Sequence, residues 1–82
     1  ALNGWFRVYP NPTTGIFNLE FSDLPDGAHS IQIFGSLGNQ ILNYELKGEA
    51  MYLIDLTKFP PGLYFVRLIS NSKHEVVRII KQ

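Results

Sequence analysis

Residues 8–17 read VYPNPTTGIF, and two closely spaced prolines interrupt what is otherwise a strand-like pattern. Proline holds φ at about −65° and has no N–H to donate, so Pro10 and Pro12 are excluded from a helix or a central strand. Asn11 precedes a proline and is therefore pushed towards an extended backbone. The stretch predicts a stiff corner that ends one strand and leads, through a turn at Gly15, into the next.

On either side of this corner the dominant hydrophobic period is two, as expected of half-buried β-strands. Apolar side chains alternate with their neighbours in five runs, at residues 16–21, 30–34, 41–46, 51–56 and 64–69. A first strand is expected at residues 6–9. A last strand at residues 76–80 is apolar on both sides, so the alternation does not show which side faces inward. This gives seven short strands.

Glycine and proline separate these runs at the spacing typical of a β-sandwich. Pro61-Gly62 suits a type II turn, and Gly38-Asn39 suits a primed hairpin turn. No window of ten or more residues keeps a 3.6-residue period, so essentially no helix is expected. The predicted fold class is all-β: a seven-stranded antiparallel β-sandwich, immunoglobulin-like with Greek-key connections but without cysteines.

Composition narrows the range of functions. The 82 residues suffice for one domain, and 45% hydrophobic with 17% charged residues fits a globular chain. Seven basic and seven acidic residues give no net charge, so neither a nucleic acid nor an anionic membrane is an expected partner. There is no cysteine for a disulfide or a thiolate metal site. Because the chain begins with Ala1 rather than methionine, we interpret it as the C-terminal piece of a larger protein.

Residues that could carry chemistry are few and scattered. His29 and His74 lack close-spaced companions, which favours solvent-exposed histidines over metal ligands. Residues 23–27 (DLPDG) lack the alternating oxygen ligands of a calcium loop and favour a turn. The hydroxyls of Thr13 and Thr14 have no base near them in sequence. We therefore expect no enzyme and no cofactor.

Aromatic residues leave two interpretations open. In one, a stacking platform for sugar is formed by Trp5, Tyr9, Tyr44 and Tyr52. In the other, which we favour, large side chains fill a small core. The candidates for that core are Phe6, Phe17, Phe21, Tyr44 and Tyr64. The hydroxyl of Tyr64 is also a candidate for a tyrosine corner, tying its strand to a neighbouring loop.

Three stretches together resemble the type A C-terminal sorting domains of the type IX (Por) secretion system of Bacteroidota. Residues 9–15 (YPNPTTG) look like the family's opening YPNP-x-x-G box. Residues 59–66 (FPPGLYFV) resemble its L-x-x-G-x-Y-x-[VL] box, with Phe59 where leucine is commoner. Residues 74–82 (HEVVRIIKQ) resemble its basic and aliphatic final strand, although Gln82 follows the expected terminal lysine. The resemblance covers residues 6–82.

The resemblance implies that residues 6–82 are a single sorting domain and that residues 1–5 end an upstream linker. Such a domain directs N-terminal cargo of the same chain from the periplasm through the outer-membrane translocon. The implied partners are the translocon, its shuttle proteins and a sortase-like cysteine protease that removes the domain at the cell surface. The cargo then stays at the surface or is secreted. A carbohydrate-binding or adhesive sandwich is the alternative function, and a spacer without a ligand is a third interpretation.

The candidate recognition residues follow from the three boxes. They are Tyr9, Pro10, Asn11, Pro12, Gly15, Pro61, Gly62, Tyr64, Val66, Arg78, Ile79, Ile80 and Lys81. Whether the proline corner serves recognition or only folding stays open. The last strand either completes the sandwich or docks to a receptor through its edge, with Arg78 and Lys81 at the rim. An uncovered edge at residues 76–80 would also allow the domain to dimerise.

Overall fold

Seven β-strands form the described part of the computed structural model, which covers residues 6–22, 30–70 and 74–82. They are β1 (Phe6–Tyr9), β2 (Ile16–Phe21), β3 (Ser30–Gly35), β4 (Gln40–Glu45), β5 (Met51–Asp55), β6 (Gly62–Ile69) and β7 (His74–Lys81). None of the described residues is helical, and so none belongs to a helix long and apolar enough to cross a membrane. The predicted all-β class with seven strands is confirmed. The expectations for residues 1–5, residues 23–27 and His29 fall outside the described residues.

The strands form two sheets in the orders β1-β2-β5 and β4-β3-β6-β7, and every strand pairing is antiparallel. The connections β2–β3, β4–β5 and β5–β6 each pass from one sheet to the other, as expected of a Greek-key sandwich. β4 lies beside β3, whereas the seven-stranded immunoglobulin constant arrangement places the fourth strand beside the fifth. The larger sheet therefore has one strand more than the smaller one.

The core is built by the predicted alternation. Its members are buried and come from both sheets: Phe6, Phe17, Leu19, Phe21, Ile31, Ile33, Ile54, Leu56, Tyr64, Val66, Leu68 and Ile79. Tyr44 packs against this cluster but is only partly buried. Burying each large apolar side chain contributes roughly 1.5–3 kcal/mol, so this cluster is the main stabilising element of a small domain. The interpretation that large aromatic side chains fill the core is therefore confirmed.

The facing of β7, which the sequence left uncertain, is clear in the structure. Val77, Ile79 and Lys81 point inward, while Val76, Arg78 and Ile80 point outward. Apolar residues occur on both faces of the strand, and the outward side chains of Val76 and Ile80 are about half exposed, at 49% and 48%. The outer face of β7 therefore carries apolar side chains that are partly exposed to solvent.

Two turn predictions are wrong. Gly62 begins β6 with a φ of 152°, far from the roughly +80° that a type II turn requires. The turn lies earlier in this segment, where the Phe59 N–H donates to the Leu56 carbonyl oxygen (3.0 Å). In the β3–β4 hairpin, Gly38 alone has a positive φ, of 90°. The Gly35 N–H donates to the Asn39 carbonyl oxygen (2.8 Å) and so closes the loop. This is a three-residue loop with glycine in the left-handed position rather than a two-residue primed turn.

The antiparallel registers place the loops at two opposite ends of the sandwich. One end, here called the motif end, carries residues 10–15, residues 36–39, residues 56–61 and Gln82. The chain enters β1 at Phe6, which pairs with Phe21 at the other end. The motif end therefore lies a full strand length away from the point where the chain enters the domain.

Candidate recognition site

The proline corner links the two sheets. β1 pairs with β2 in the smaller sheet, and the chain then crosses to β7 at the edge of the larger one. There the side-chain amide of Asn11 donates to the Arg78 carbonyl oxygen (2.9 Å) and accepts from the Ile80 N–H (3.0 Å). Both X–Pro bonds of the corner, Tyr9-Pro10 and Asn11-Pro12, are cis. The first and last motifs are thus one structural unit.

Asn11 replaces the peptide group that two prolines cannot provide. Pro10 and Pro12 have no N–H, so this stretch cannot pair with β7 as an ordinary strand. A side-chain amide carries both a donor and an acceptor, and it can therefore bond an N–H and a C=O of the neighbouring strand at once. The corner therefore takes the position that a neighbouring strand would occupy beside the end of β7.

Thr13 continues this pairing with its backbone. Its N–H donates to the Ile80 carbonyl oxygen (2.8 Å), and its own carbonyl oxygen accepts from the Gln82 N–H (2.8 Å). Thr13 and Lys81 accordingly form an isolated parallel bridge. The backbone groups of Ile80 and Gln82 are thus paired with the corner, so the edge at residues 76–80 is not open along its whole length. A dimer contact at this edge would therefore lack its C-terminal half.

The turn after the corner is held by Thr13 and Gly15. The buried Thr13 hydroxyl donates to the Ile16 carbonyl oxygen (2.7 Å) and accepts from the Gly15 N–H (3.0 Å). The Leu56 N–H donates to the Gly15 carbonyl oxygen (2.8 Å). A Cβ atom on Gly15 would lie 2.7 Å from Thr57 Cγ2, and the φ of Gly15 is +150°. Only glycine allows this close approach.

Lys81 joins the middle motif to the last one. Its side chain points inward with 9% of its surface exposed, and its Nζ donates to the carbonyl oxygens of Phe59 and Thr57 (3.4 Å for Thr57). Lys81 also pairs with Gly62 across the β6–β7 ladder. The prediction that Lys81 lies at the rim of the last strand is wrong, because the register of Val77, Ile79 and Lys81 turns it towards the interior. Arg78 is exposed, as expected for a rim residue.

Tyr64 forms the predicted tyrosine corner. Its ring is buried in the core, and its hydroxyl donates to the Pro60 carbonyl oxygen four residues upstream. It pairs with Ile79 across the ladder, so the middle and last motifs share a second contact. Val66, two residues further along β6, is fully buried and belongs to the core. Pro61 is exposed at the motif end.

Tyr9 has a separate set of contacts on the outer face of β1 and β2. Its hydroxyl donates to Glu20 Oε1 (3.1 Å), which also accepts from Arg7 Nη2 (2.9 Å), and the Arg7 guanidinium lies 5.0 Å from the centre of the Tyr9 ring. The hydrogen bonds from Arg7 and Tyr9 lower the pKa of Glu20. Partial desolvation, followed by the bond to Glu20, raises the pKa of Tyr9. Tyr9 therefore anchors the start of the corner.

Reasoning from the sequence missed the site role of Thr13 and the inward orientation of Lys81. Thr13 was weighed as a nucleophile and not selected as a site residue, although its position two residues before Gly15 is typical of a hydroxyl that closes a local turn. The burial of Lys81 could have been found from its register, since it continues the Val77 and Ile79 series. The partner carbonyls of Thr57 and Phe59 carry no signal in the sequence, because any residue offers a carbonyl oxygen.

A shallow apolar groove lies beside these contacts at the motif end. It has a volume of about 220 Å³ and runs between the β3–β4 turn and the segment before β6. Its apolar lining includes Leu37, Ile41, Phe59, Pro60, Pro61 and Leu63. The Leu37 side chain is 94% exposed to solvent and adds to the exposed apolar surface at this end. The groove puts apolar surface next to the exposed Pro61.

The tyrosines proposed as a sugar platform do not share a surface. Tyr9 points outward from β1, whereas Tyr44 and Tyr52 pack against the core from different sheets. The Tyr52 ring meets Phe21 edge-on, and its hydroxyl accepts hydrogen bonds from the Lys47 and Glu49 N–H groups (2.8 and 3.3 Å). Trp5 lies outside the described residues. Within the described ranges, no aromatic residue is among the large hydrophobic side chains that are exposed.

The described residues also contain no group of three or more His, Cys, Asp or Glu side chains placed to hold a metal ion. His74 is exposed at the start of β7. The polar contacts at the motif end are instead amide, hydroxyl and ammonium groups bonded to backbone atoms. Such contacts fix the shape of a surface, and this arrangement is suited to being recognised by a partner.

Comparison with known families identifies the class of protein. The chain matches the family described as the secretion system C-terminal sorting domain over residues 7–82, and it belongs to that family. It is thus the type IX sorting domain that the three motifs indicated. The domain is a sorting signal and not an enzyme.

The curated relatives that the chain matches are much longer proteins that share this region. The chain is 27% identical over 77 residues to an endo-acting ulvan lyase of Formosa agariphila, covering 92% of this chain and 14% of that protein. It is 32% identical over 88 residues to karilysin of Tannerella forsythia, covering 94% of this chain and 18% of that protein. Because the chain spans less than a fifth of either relative, their catalytic names describe the rest of those proteins. The sorting domain directs export to the cell surface or the medium.

Proposed function

We propose that the motif end is the surface by which the secretion machinery recognises this domain. The observation that carries the proposal is that three motifs distant in sequence meet at one end of the sandwich, through Asn11, Lys81 and the Phe59–Tyr64 segment. These contacts stabilise the domain, and they also bring the three motifs into one continuous surface. A shared surface built from all three motifs explains their joint presence.

The position of the motif end supports this role. Cargo lies N-terminal to the domain in the same chain, and the chain enters β1 at the opposite end of the sandwich. A receptor that binds the motif end therefore approaches from the side away from the cargo. Recognition in this geometry does not depend on the size or shape of the cargo.

The candidate residues divide into two groups. Pro10, Pro12, Pro61, Arg78 and Ile80 have exposed side chains that are available for contact with a receptor. The other residues hold this surface in shape. Tyr9, Gly15, Tyr64, Val66, Ile79 and Lys81 are buried or half-buried, whereas Asn11 and Gly62 are exposed but are tied to β7 by the Asn11 amide and by the β6–β7 pairing. The proposal assigns recognition to the first group and positioning to the second.

The wider route is also part of the proposal. The cargo and residues 6–82 cross the periplasm together, and the outer-membrane translocon and its shuttle proteins bind the motif end. A sortase-like cysteine protease then cuts within or before residues 1–5, which serve as the linker. The cargo is released or anchored at the surface.

A transplant tests this function. Residues 1–82 are fused behind a periplasm-directed fluorescent reporter and expressed in a bacterium with an intact type IX system and in a mutant without its translocon. We expect surface or secreted reporter in the intact strain alone, shortened by about the mass of the domain. Reporter retained in the periplasm of both strains would refute the assignment for this chain.

A further inference from the structure

The two sheets differ in width, and the difference leaves one strand position empty. β1 lies beside β7, so the three-stranded and four-stranded sheets are aligned at that side of the sandwich. Counting across from there, β2 lies over β6 and β5 over β3. No strand of the described ranges lies opposite β4.

Burial of the inward side chains agrees with this alignment. On β3 the inward residues Ile31 and Ile33 are 1% and 0% exposed. On β4 the corresponding inward residues, Leu42 and Tyr44, are only partly buried although they pack against the core. The inner face of β4 therefore has apolar surface that the smaller sheet does not cover.

Among residues 6–22, 30–70 and 74–82 no strand pairs with the outer edge of β5, and this edge presents hydrogen-bonding groups at the same place. The Leu56 N–H donates to the Gly15 carbonyl oxygen, and the Phe21 N–H donates to the Ala50 carbonyl oxygen. Even-numbered residues of β5 therefore point their peptide groups towards β2. In an antiparallel sheet the direction alternates with each residue, so Met51, Leu53 and Asp55 point both their N–H and C=O groups to the outer edge.

β5 also has few of the features that usually protect an edge strand. Its sequence MYLID contains no lysine, proline or glycine, and Leu53 is 63% exposed. The only charged residues on β4 and β5 are the acidic Glu45 and Asp55. On the opposite side of the sandwich, by contrast, the proline corner covers the end of the edge strand β7.

We infer that the open side between β4 and β5 accepts an extended segment of a partner protein, which adds to β5 as a fourth strand of the smaller sheet. The segment has apolar residues at alternate positions, which cover Leu42 and Tyr44, and a basic residue at the end that lies beside Asp55 on the outer face of the smaller sheet. Pairing gives main-chain hydrogen bonds to Met51, Leu53 and Asp55, and the alternating side chains give selectivity. The site is distinct from the motif end and goes beyond the proposed function, although its test uses export as a readout.

The experiment separates the backbone contact from the side chain. Leu53→Pro removes the outward N–H without breaking a bond to β2, and Leu53→Thr removes the leucine side chain but keeps the N–H. Both variants are placed in the reporter fusion and also purified to measure their denaturation midpoints. We expect Leu53→Pro to lower export by about tenfold, as the loss of one such hydrogen bond implies, and Leu53→Thr to lower it much less.

A benzophenone side chain at Met51 provides a second readout that does not depend on Leu53→Pro folding. Irradiation during export is expected to link the fusion to a protein of the secretion machinery, whereas the same group at Asn43, which is exposed on the outer face of β4 and lies outside the motif end, serves as the control. Folded Leu53→Pro that is exported like the unmodified domain would overturn the inference. So would crosslinking at Met51 to nothing, or to a second copy of the fusion alone. Failure of the unmodified fusion to be exported would instead count against the proposed function.

Discussion

Asn11 bonds through its side chain to the backbone of Ile80, 69 positions later, and so joins the first motif of the chain to the last. The same amide bonds Arg78, which makes the contact two-sided. The proline corner is therefore more than a turn between two strands. It closes the end of the last strand and so defines the surface on which the motifs meet.

The contact predicts a measurable contribution of Asn11 to stability. Asn11→Ala leaves the Ile80 N–H and the Arg78 carbonyl oxygen without their partner, and we expect a loss of about 1 kcal/mol in the free energy of unfolding. Urea denaturation measures it. Asn43→Ala, an exposed asparagine on β4 with no such bond, is the matched control. Equal effects of the two substitutions would contradict the bridging role.

Gly15 is predicted to be intolerant of any side chain. Gly15→Ala puts a methyl group 2.7 Å from Thr57 Cγ2 on a backbone with φ of +150°, and we expect a loss of roughly 1–3 kcal/mol. Gly48→Ala has a φ of +86° but no atom within 4 Å, so it isolates the backbone strain. Adding Thr57→Ser to Gly15→Ala should restore part of the loss, because serine lacks the crowded methyl group but keeps the hydroxyl. No recovery in the double variant would mean that the crowding is not the cause.

Lys81 is predicted to stabilise the segment before β6. Lys81→Met keeps a long apolar stem but removes the ammonium group that bonds the Phe59 and Thr57 carbonyl oxygens, and we expect a loss of about 1 kcal/mol. Amide hydrogen exchange should quicken at residues 57–62 and remain unchanged at residues 46–50. Lys58→Met, on the exposed part of the same segment, should leave both regions as they are. Faster exchange throughout the domain would point to general destabilisation instead.

Stability is predicted to fall in acid through Glu20 and Asp55. Hydrogen bonds from Arg7 and Tyr9 lower the pKa of Glu20 below its ordinary 4.5, and those from the Thr57 hydroxyl and N–H lower the pKa of Asp55 below 3.8. A lowered folded-state pKa contributes stability above the unfolded-state value, and that contribution is lost as the pH falls through the folded-state value. Urea midpoints measured from pH 6 to about pH 2.5 should therefore decline in acid. Glu20→Gln should flatten the upper part of the decline, and an unchanged slope would exclude Glu20 as a source.

Local features of this fold were predictable from the sequence, and contacts between distant segments were not. The alternation of Phe17, Leu19 and Phe21 identified the buried face of β2 because the period of a strand is visible in five or six residues. The tyrosine corner at Tyr64 was also foreseeable, since its partner lies four residues upstream. By contrast, the contact of Asn11 with Ile80 depends on how two sheets are aligned. The sequence carries no local sign of that alignment.

The same limit explains the errors. The Pro61-Gly62 pair has the composition of a type II turn, but pairing with Lys81 draws Gly62 into β6. Lys81 was placed at the rim because lysine usually protects strand edges, whereas here two backbone carbonyls receive its ammonium group. In both cases tertiary pairing overrode a sound local preference.

The central claim is that the motif end serves recognition in addition to folding, and export at matched stability tests it most directly. Asn11→Ala alters the motif end, and Ile31→Val alters the core near the opposite end, with an expected loss of roughly 0.5–1.5 kcal/mol that is similar to that of Asn11→Ala. Both are compared in the reporter fusion after their unfolding free energies have been measured. The account predicts that Asn11→Ala lowers the amount of reporter at the cell surface while Ile31→Val leaves it near the unmodified level. Equal export of the two variants would contradict the claim and leave the convergence of the motifs as a feature of folding alone.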